Sequence, residues 1–309
     1  GDHVAPLLAR AEQVLKDVAG RQGPVLGPHS LATVEAGGKR LRPLLVLIAA
    51  GAPEDDEGAE ARVRAAAAVE LVHAATLVHD DVLDRSDLRR GRPTVFAAAG
   101  REAAVQTGDA LFASAFLLLL ENRSPDQISA LTRAGAALAR GELIQREDAW
   151  DAEIGVDRYR LRCELKTARL FEAACALGSS VAGRDPAELA TFATEIGIAF
   201  QMLDDVLDVE GSPERTGKPR GTDLLDGTVT LPLLLARARD ASLASIDLRS
   251  IRTHEQADEI CLRVIATGAA EEVRKEALAH VARAEAALPA DGRRAALAAV
   301  AQSVVQRYS

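Results

Sequence analysis

The chain has 309 residues, room for one large domain or two of the ~150-residue size. Its 48% hydrophobic and 27% charged residues give a globular balance that excludes a disordered chain. A formal charge of −9 argues against a nucleic-acid role, because phosphate binding needs a basic surface.

Only 3% of residues are aromatic, and alanine and leucine dominate the apolar set, which favours helix over sheet. Helical periodicity runs almost from end to end. Val4, Leu7, Leu8, Ala11, Val14, Leu15 and Val18 recur at spacings of three and four, the signature of an amphipathic helix. Gly20 to Pro28 is expected to break it. Further helices are predicted at 30–36, 43–52, 58–84, 101–122, 125–150, 157–181, 185–210, 226–239, 254–267, 269–287 and 291–307. Ser124-Pro125-Asp126-Gln127 sets an N-cap serine before a proline at the first helical position, and Asp185-Pro186 repeats that order. No run alternates apolar and polar residues long enough to predict a strand. No Pro-, Gly- or Ser-rich linker divides the chain, so one all-helical domain is expected. Two polar connections, Arg85 to Thr94 and Gly211 to Asp226, follow acidic helix ends and have the length of lids or binding loops.

Cys163, Cys175 and Cys261 are odd in number and widely spaced. They form neither a disulfide framework nor a metal motif, which fits a reducing compartment. No signal-peptide pattern shows, and the most apolar run, Ala110 to Leu120, falls short of the ~20 residues of a membrane span. A cytoplasmic protein is expected.

Two acidic clusters carry the chemistry. Asp80-Asp81-Val82-Leu83-Asp84 ends an apolar helix, with Asp80 and Asp84 about 40° apart on one face and His73 on that face too. Asp204-Asp205-Val206-Leu207-Asp208 repeats the spacing, with Gln201 on the same side. Aspartate is a poor residue for a last helical turn, where the macrodipole favours cations. Two such clusters point to a hard divalent ion, Mg²⁺ above all, shared with phosphate oxygens. Basic segments supply the counterpart: Gly37-Gly38-Lys39-Arg40-Leu41-Arg42-Pro43, Arg89-Arg90-Gly91-Arg92 and Gly217-Lys218-Pro219-Arg220-Gly221-Thr222-Asp223.

On these residues, together with Gly108-Asp109, Gly141-Glu142, Lys166-Thr167-Ala168 and Phe200-Gln201, the sequence resembles the trans (E)-polyprenyl diphosphate synthases. The resemblance implies an all-α isoprenoid synthase fold. In that fold a single large bundle of mostly antiparallel helices surrounds a central active-site cavity. It also implies one polyprenyl synthetase domain over 1–309, in a homodimer. The implied reaction is the 1′-4 head-to-tail condensation of isopentenyl diphosphate with an allylic diphosphate. It proceeds through an allylic carbocation and uses Mg²⁺, roughly three ions per active site. No serine, cysteine or histidine triad is needed or found.

Carried over motif by motif, the resemblance gives Asp80, Asp84 and Asp204 to Mg²⁺, with Asp81, Asp205 and Asp208 as ligands or supporting groups. Arg89, Lys166 and Lys218 would hold the allylic diphosphate, and Lys39, Arg42, His73 and Arg90 would hold isopentenyl diphosphate. Thr167 and Gln201 would face the developing cation. One departure stands out: Thr228 occupies a position where many short-chain members carry lysine, and Arg220 is a candidate replacement. In the family, short products go with an aromatic residue four or five positions before the first aspartate. Here those positions are Thr76 and Ala75, with Val72 a turn below, so a product longer than C20, in the C25–C50 range, is expected. Phe112, Phe116 or Leu131 could still form a floor. Two readings compete: a class I terpene cyclase, against which the second Asp-rich motif argues, and a non-catalytic subunit of a heteromeric synthase, against which two complete motifs argue.

Overall fold

The computed structural model describes residues 3–211 and 219–306. It is 77% helical, so the chain is all-α as expected. The chain divides into two compact units, each gathered from separate stretches. The first comprises Gly1–Gly135, Leu170–Ala190 and Pro289–Val300; the second comprises Ala136–Arg169, Thr191–Leu288 and Ala301–Ser309.

In the first unit α1 (Val4–Gly20), α2 (Gly23–Glu35), α3 (Leu41–Ala50) and α5 (Val95–Glu121) all pack on α4 (Asp56–Leu83). The sequence of α4 explains its central place. Ala65, Ala66, Ala67, Ala68, Ala74 and Ala75 let neighbours approach closely, while Val63, Val69, Leu71 and Val72 fill the gaps between them. Asp55 starts the helix by accepting from Gly58 N at 2.7 Å. The connection from 85 to 94 is a two-residue hairpin, Leu88–Arg89 (β1) against Arg92–Pro93 (β2). Arg90 and Gly91 turn it with φ of 53° and 73°, the left-handed pair that a tight hairpin requires. This is the one strand pair among the described residues, too short to show as alternation.

Several boundaries depart from the periodicity, among them the helix expected over 226–239, which starts only at Leu231. Pro28 lies inside α2 instead of before it. Pro24 sits in the first turn, where N–H groups lack helical partners anyway, and Pro28 forfeits a single ladder bond. Asp185 does not cap a helix; its carboxylate accepts from Ala187 N at 2.9 Å in a local turn, and α9 (Ala190–Glu210) starts later. Thr94 caps a short helical stretch, accepting from Ala97 N at 3.0 Å, but Gly100 at φ 85° interrupts it, so the regular part of α5 begins at position 101 as expected. Counted across that kink, the 27 residues of α5 contain a stretch of mean hydropathy 1.6, long and apolar enough to cross a membrane by length and composition alone. The shorter run Ala110 to Leu120 had understated it, because the small residues before it also count as apolar. In this structure α5 packs along α4, and 39% of that stretch is buried.

The second unit takes the later part of α6 (Pro125–Glu147), α7 (Val156–Cys163), most of α9, and four further helices. These are α10 (Thr222–Leu225), α11 (Leu231–Arg239), α13 (His254–Ala266) and α14 (Ala269–Ala286), with the short α12 (Ala241–Ala244) between them. Its core includes Tyr159, Phe192, Ile196, Leu203 and Leu231. The single helix predicted over 157–181 is interrupted: Glu164–Ala168 forms a π turn between α7 and α8 (Arg169–Val181). Gly141 of α6 and Gly197 of α9 allow close approach there. A Cβ on Gly141 would lie 2.8 Å from Lys166 N, and one on Gly197 would lie 2.5 Å from Ala168 Cα. The π turn carries Lys166 and Thr167, and single π turns of this sort recur at functional sites.

Candidate active site

The acidic and basic residues fall into a set in each unit. In the first unit Asp80 and Asp84 are half-buried on the last turn of α4. Asp81 is buried and accepts from Arg89 Nε at 2.9 Å, with Arg89 Nη2 also at 2.9 Å. The hairpin therefore uses Arg89 to anchor itself to Asp81, and the two charges neutralise each other. Arg90 reaches the Gly37-Gly38 turn: its guanidinium lies where a Gly38 side chain would stand, and it donates to Ala36 O at 3.4 Å. His79, between Val78 and Asp80, sits against Gly108 with Nε2 3.3 Å from the Asp109 carboxylate. Sequence reasoning quoted Gly108-Asp109 without seeing this contact.

The Lys39-Arg40-Leu41-Arg42 segment divides its labour. Arg40, left-handed at φ 48°, binds Glu12 at 2.5 Å, Glu70 at 2.9 Å and Val34 O at 2.8 Å, which consumes its donors in holding the loop. Lys39 is exposed. The Arg42 guanidinium lies over the Phe171 ring at 4.9 Å, and burial lowers its pKa to about 10. Its Nε is buried without a hydrogen-bond partner, and an orphan donor of this kind calls for an acceptor brought by a ligand. Burial, and then the charges of Arg42, Arg90, Arg89 and Arg40, hold His73 well below the usual imidazole range, so it is neutral. His73, Arg40, Arg89, Arg90 and Asp81 line one cavity of about 120 Å³. Cations outnumber carboxylates in that lining, which suits an anion.

In the second unit Lys166 Nζ lies 2.5 Å from Glu142 Oε2, and Arg146 Nε donates to Glu142 Oε1 at 2.9 Å. Burial pushes the Glu142 carboxyl up, but Lys166 and Arg146 overcome it and hold it below the carboxylate range. Arg146 thus sets a second cation beside Lys166, which sequence reasoning missed because a Glu-Arg pair four residues apart looks like ordinary helix surface. Thr167 donates to Gln201 Oε1 at 2.7 Å, Gln201 donates to Asp205 Oδ1 at 2.8 Å, and Tyr159 donates to Asp205 Oδ2 at 2.6 Å. Asp204 is half-buried at the same helix end. Asp208 accepts from Asp223 N at 3.2 Å. Lys218 lies outside the described residues. Arg220 is committed to Asp258 at 2.9 Å. Thr228 follows Gly227, on which the Trp150 ring packs.

Burial raises Asp205 to about 6 and Asp208 to about 7, and Asp204 adds repulsion to both. Asp223, half-buried among the same carboxylates, is pushed well above the usual range by desolvation and their repulsion. It is a further acidic member of the cluster, hidden in a segment that read as basic. Hard oxygen donors short of compensating charge fit Mg²⁺. Among the described residues no three ligating side chains converge on one point, so such an ion would complete its shell from diphosphate and water.

With this geometry in hand, the chain proves to match the polyprenyl synthetase family over residues 25–266, and it belongs to that family. It is a prenyltransferase. It is 41% identical over 243 residues to heptaprenyl diphosphate synthase component 2 of Geobacillus stearothermophilus, covering 78% of this chain and 75% of that one. Among solved structures it is similar to a polyprenyl synthase from Caulobacter crescentus CB15 complexed with calcium and isoprenyl diphosphate. The TM-score there is 0.92 at 34% identity, covering 100% of this chain and 98% of the other. A decaprenyl diphosphate synthase from Rhodobacter capsulatus superposes with a TM-score of 0.88 at 31% identity, covering 99% and 97%.

Proposed function

We propose that the chain condenses isopentenyl diphosphate with an allylic diphosphate, head to tail and 1′-4, to make an all-trans polyprenyl diphosphate longer than C20. The observation that carries this reading is the placement of Asp204, Asp205 and Asp208 together at the end of α9, on the same helix as the amide of Gln201. Beside that amide lie the Thr167 hydroxyl and a lysine-arginine pair on Glu142. The Caulobacter relative, whose structure pairs a divalent ion with isoprenyl diphosphate, supports it.

Asp80, Asp84 and Asp204 would hold Mg²⁺, with Asp208 and Asp223 lending charge. When bound, the metal supplies Lewis-acid stabilisation to the departing diphosphate. Lys166 and Arg146 neutralise the allylic diphosphate, and Arg146 makes up for the cation absent at Thr228. Arg42, Lys39, Arg90 and neutral His73 hold isopentenyl diphosphate. The carbonyl oxygen of Gln201 and the hydroxyl of Thr167 present the negative ends of their dipoles to the allylic cation. The cation adds to the double bond of isopentenyl diphosphate, a proton is lost, and the released diphosphate accepts it. Asp81 and Asp205 support their neighbours, because each is buried, with Asp81 Oδ1 engaged by Arg89 and the two oxygens of Asp205 by Gln201 and Tyr159.

The whole of 1–309 is proposed as one functional domain, since α6 and α15 (Arg294–Gln306) each continue from one unit into the other. A cytoplasmic setting accords with three free, buried cysteines. A homodimer is proposed because Leu117 and Leu120 stand 63% and 59% exposed on α5, an apolar face a second copy would cover. The relative named component 2 makes a heteromer the competing assembly; a mass near twice that of the purified chain alone supports the homodimer. The reaction itself is tested with Asp80→Ala and Asp204→Ala. Each should lower kcat by a hundredfold or more with the fold intact. Turnover within about tenfold of wild type, ~1.4 kcal/mol in barrier, would end the metal role of that residue.

A further inference from the structure

We propose that Tyr159 is a positioning residue for prenyl transfer, acting through Asp205 to fix the orientation of the Gln201 amide. The inference rests on the reading above, in which Gln201 and Thr167 face the developing cation.

The argument begins with what each group can do. An ionised carboxylate only accepts hydrogen bonds, whereas a primary amide donates from one end and accepts at the other. Asp205 Oδ1 faces Gln201, so the amide must turn its NH₂ toward Asp205, at 2.8 Å. Its oxygen is thereby placed on the opposite side, where it accepts from Thr167 at 2.7 Å. The two ends of an amide have nearly the same shape, so packing alone discriminates poorly between the two orientations. Hydrogen bonding to Asp205 decides between them. A flipped amide would present N–H dipoles, positive end outward, where negative charge is wanted.

Asp205 is in turn held from its other oxygen. Tyr159 is fully buried, so its hydroxyl must find an internal acceptor, and it donates to Oδ2 at 2.6 Å. The ring that carries this hydroxyl is itself set. The Arg162 guanidinium lies over it at 5.5 Å while donating to Val229 O at 2.5 Å. Tyr159 stands on α7, directly before the π turn that carries Thr167. One hydroxyl therefore ties α7 to α9 and sets the polarity of a string that ends at Gln201 and Thr167.

Removing that single oxygen tests the idea. In Tyr159→Phe the ring and its packing remain, and Asp205 loses one of its two side-chain donors. We expect kcat to fall about tenfold, KM for both diphosphates to stay within threefold, and the melting temperature to shift little. Asp205→Asn, whose amide can turn its own NH₂ toward Gln201, should lower kcat at least as far. Tyr159→Phe added to Asp205→Asn should then cost no further activity, because both changes act on one string. A kcat for Tyr159→Phe within twofold of wild type overturns the proposal, as does a loss confined to KM or a double variant whose losses multiply. Gln201→Ala separates the two layers. If it keeps full kcat, the role assigned to Gln201 fails and the proposal fails with it. If Gln201→Ala is impaired and Tyr159→Phe is not, the positioning role alone fails.

Discussion

Gly141→Ala probes how Lys166 is placed. Gly141 lies in α6 against the π turn, and the added Cβ would meet Lys166 N at 2.8 Å, Leu165 Cβ at 3.1 Å and Lys166 Cα at 3.1 Å. Restoring ordinary contact, about 3.5 Å, moves backbone by roughly 0.7 Å. Overpacking of this kind costs about 1–3 kcal/mol, and the gain of alanine over glycine inside a helix returns about 1 kcal/mol. The net loss of roughly 0–2 kcal/mol should lower the melting temperature by no more than about 5 °C. Activity should suffer more. A misplacement near 1 Å can cost about a hundredfold, so a shift of this size in Lys166 and Thr167 should lower kcat on the order of tenfold. Steady-state incorporation of labelled isopentenyl diphosphate, read beside a thermal melt, measures both. A variant with normal melting and kcat within twofold would refute the claim that close approach of α6 sets the π turn.

The pH dependence of stability is the next expectation. Asp205 and Asp208 are raised from 3.8 to about 6 and about 7 in the fold, so between roughly pH 4 and pH 7 the folded state binds more protons than the unfolded one. Metal-free protein should therefore lose stability as pH rises through that window. Mg²⁺ should flatten the loss, and Asp208→Asn should remove much of it; a melting temperature in EDTA that climbs from pH 5 to 7 would contradict this. Thr76→Phe should shorten the product toward C15–C20, read by chromatography after dephosphorylation. Thr76 is half-buried one turn before Asp80, whereas a phenylalanine at fully buried Ala75 must also displace its neighbours. Unchanged product length in both variants would refute the tunnel reading. Arg146→Met should raise KM for the allylic diphosphate severalfold with little effect on that for isopentenyl diphosphate, and equal effects on both would remove Arg146 from the allylic site.

What the sequence made legible follows from what periodicity and charge can encode. α4 and α9 were readable because apolar spacing runs up to an acidic end that helix electrostatics disfavours. The π turn was not, because Glu164-Leu165-Lys166-Thr167-Ala168 has the same apolar spacing in either helix type. Its close neighbours lie far away in sequence, at Gly141 and Gly197. Asp81, expected as a metal ligand or supporting group, and Arg89, expected on the allylic diphosphate, pair with each other in the fold, a contact their motifs do not announce. Pairing of that kind depends on the left-handed turn at Arg90-Gly91, which no spacing rule announces. Asp185-Pro186 misled because an aspartate before a proline serves a local turn as readily as a helix cap. Asp223 and Tyr159 gave no local signal; only burial beside Asp205 and Asp208 brings them into the chemistry.

The central claim is chain elongation itself, and one incubation tests it most directly. Purified protein is supplied with Mg²⁺, radiolabelled isopentenyl diphosphate and farnesyl diphosphate, and the products are separated by polarity and chain length. The account predicts all-trans diphosphates longer than C20, in the C25–C50 range, with no product when EDTA replaces Mg²⁺. A hydrocarbon released from farnesyl diphosphate without incorporation of label would mark a cyclase, and no turnover would mark a non-catalytic subunit. Either result would contradict the assignment.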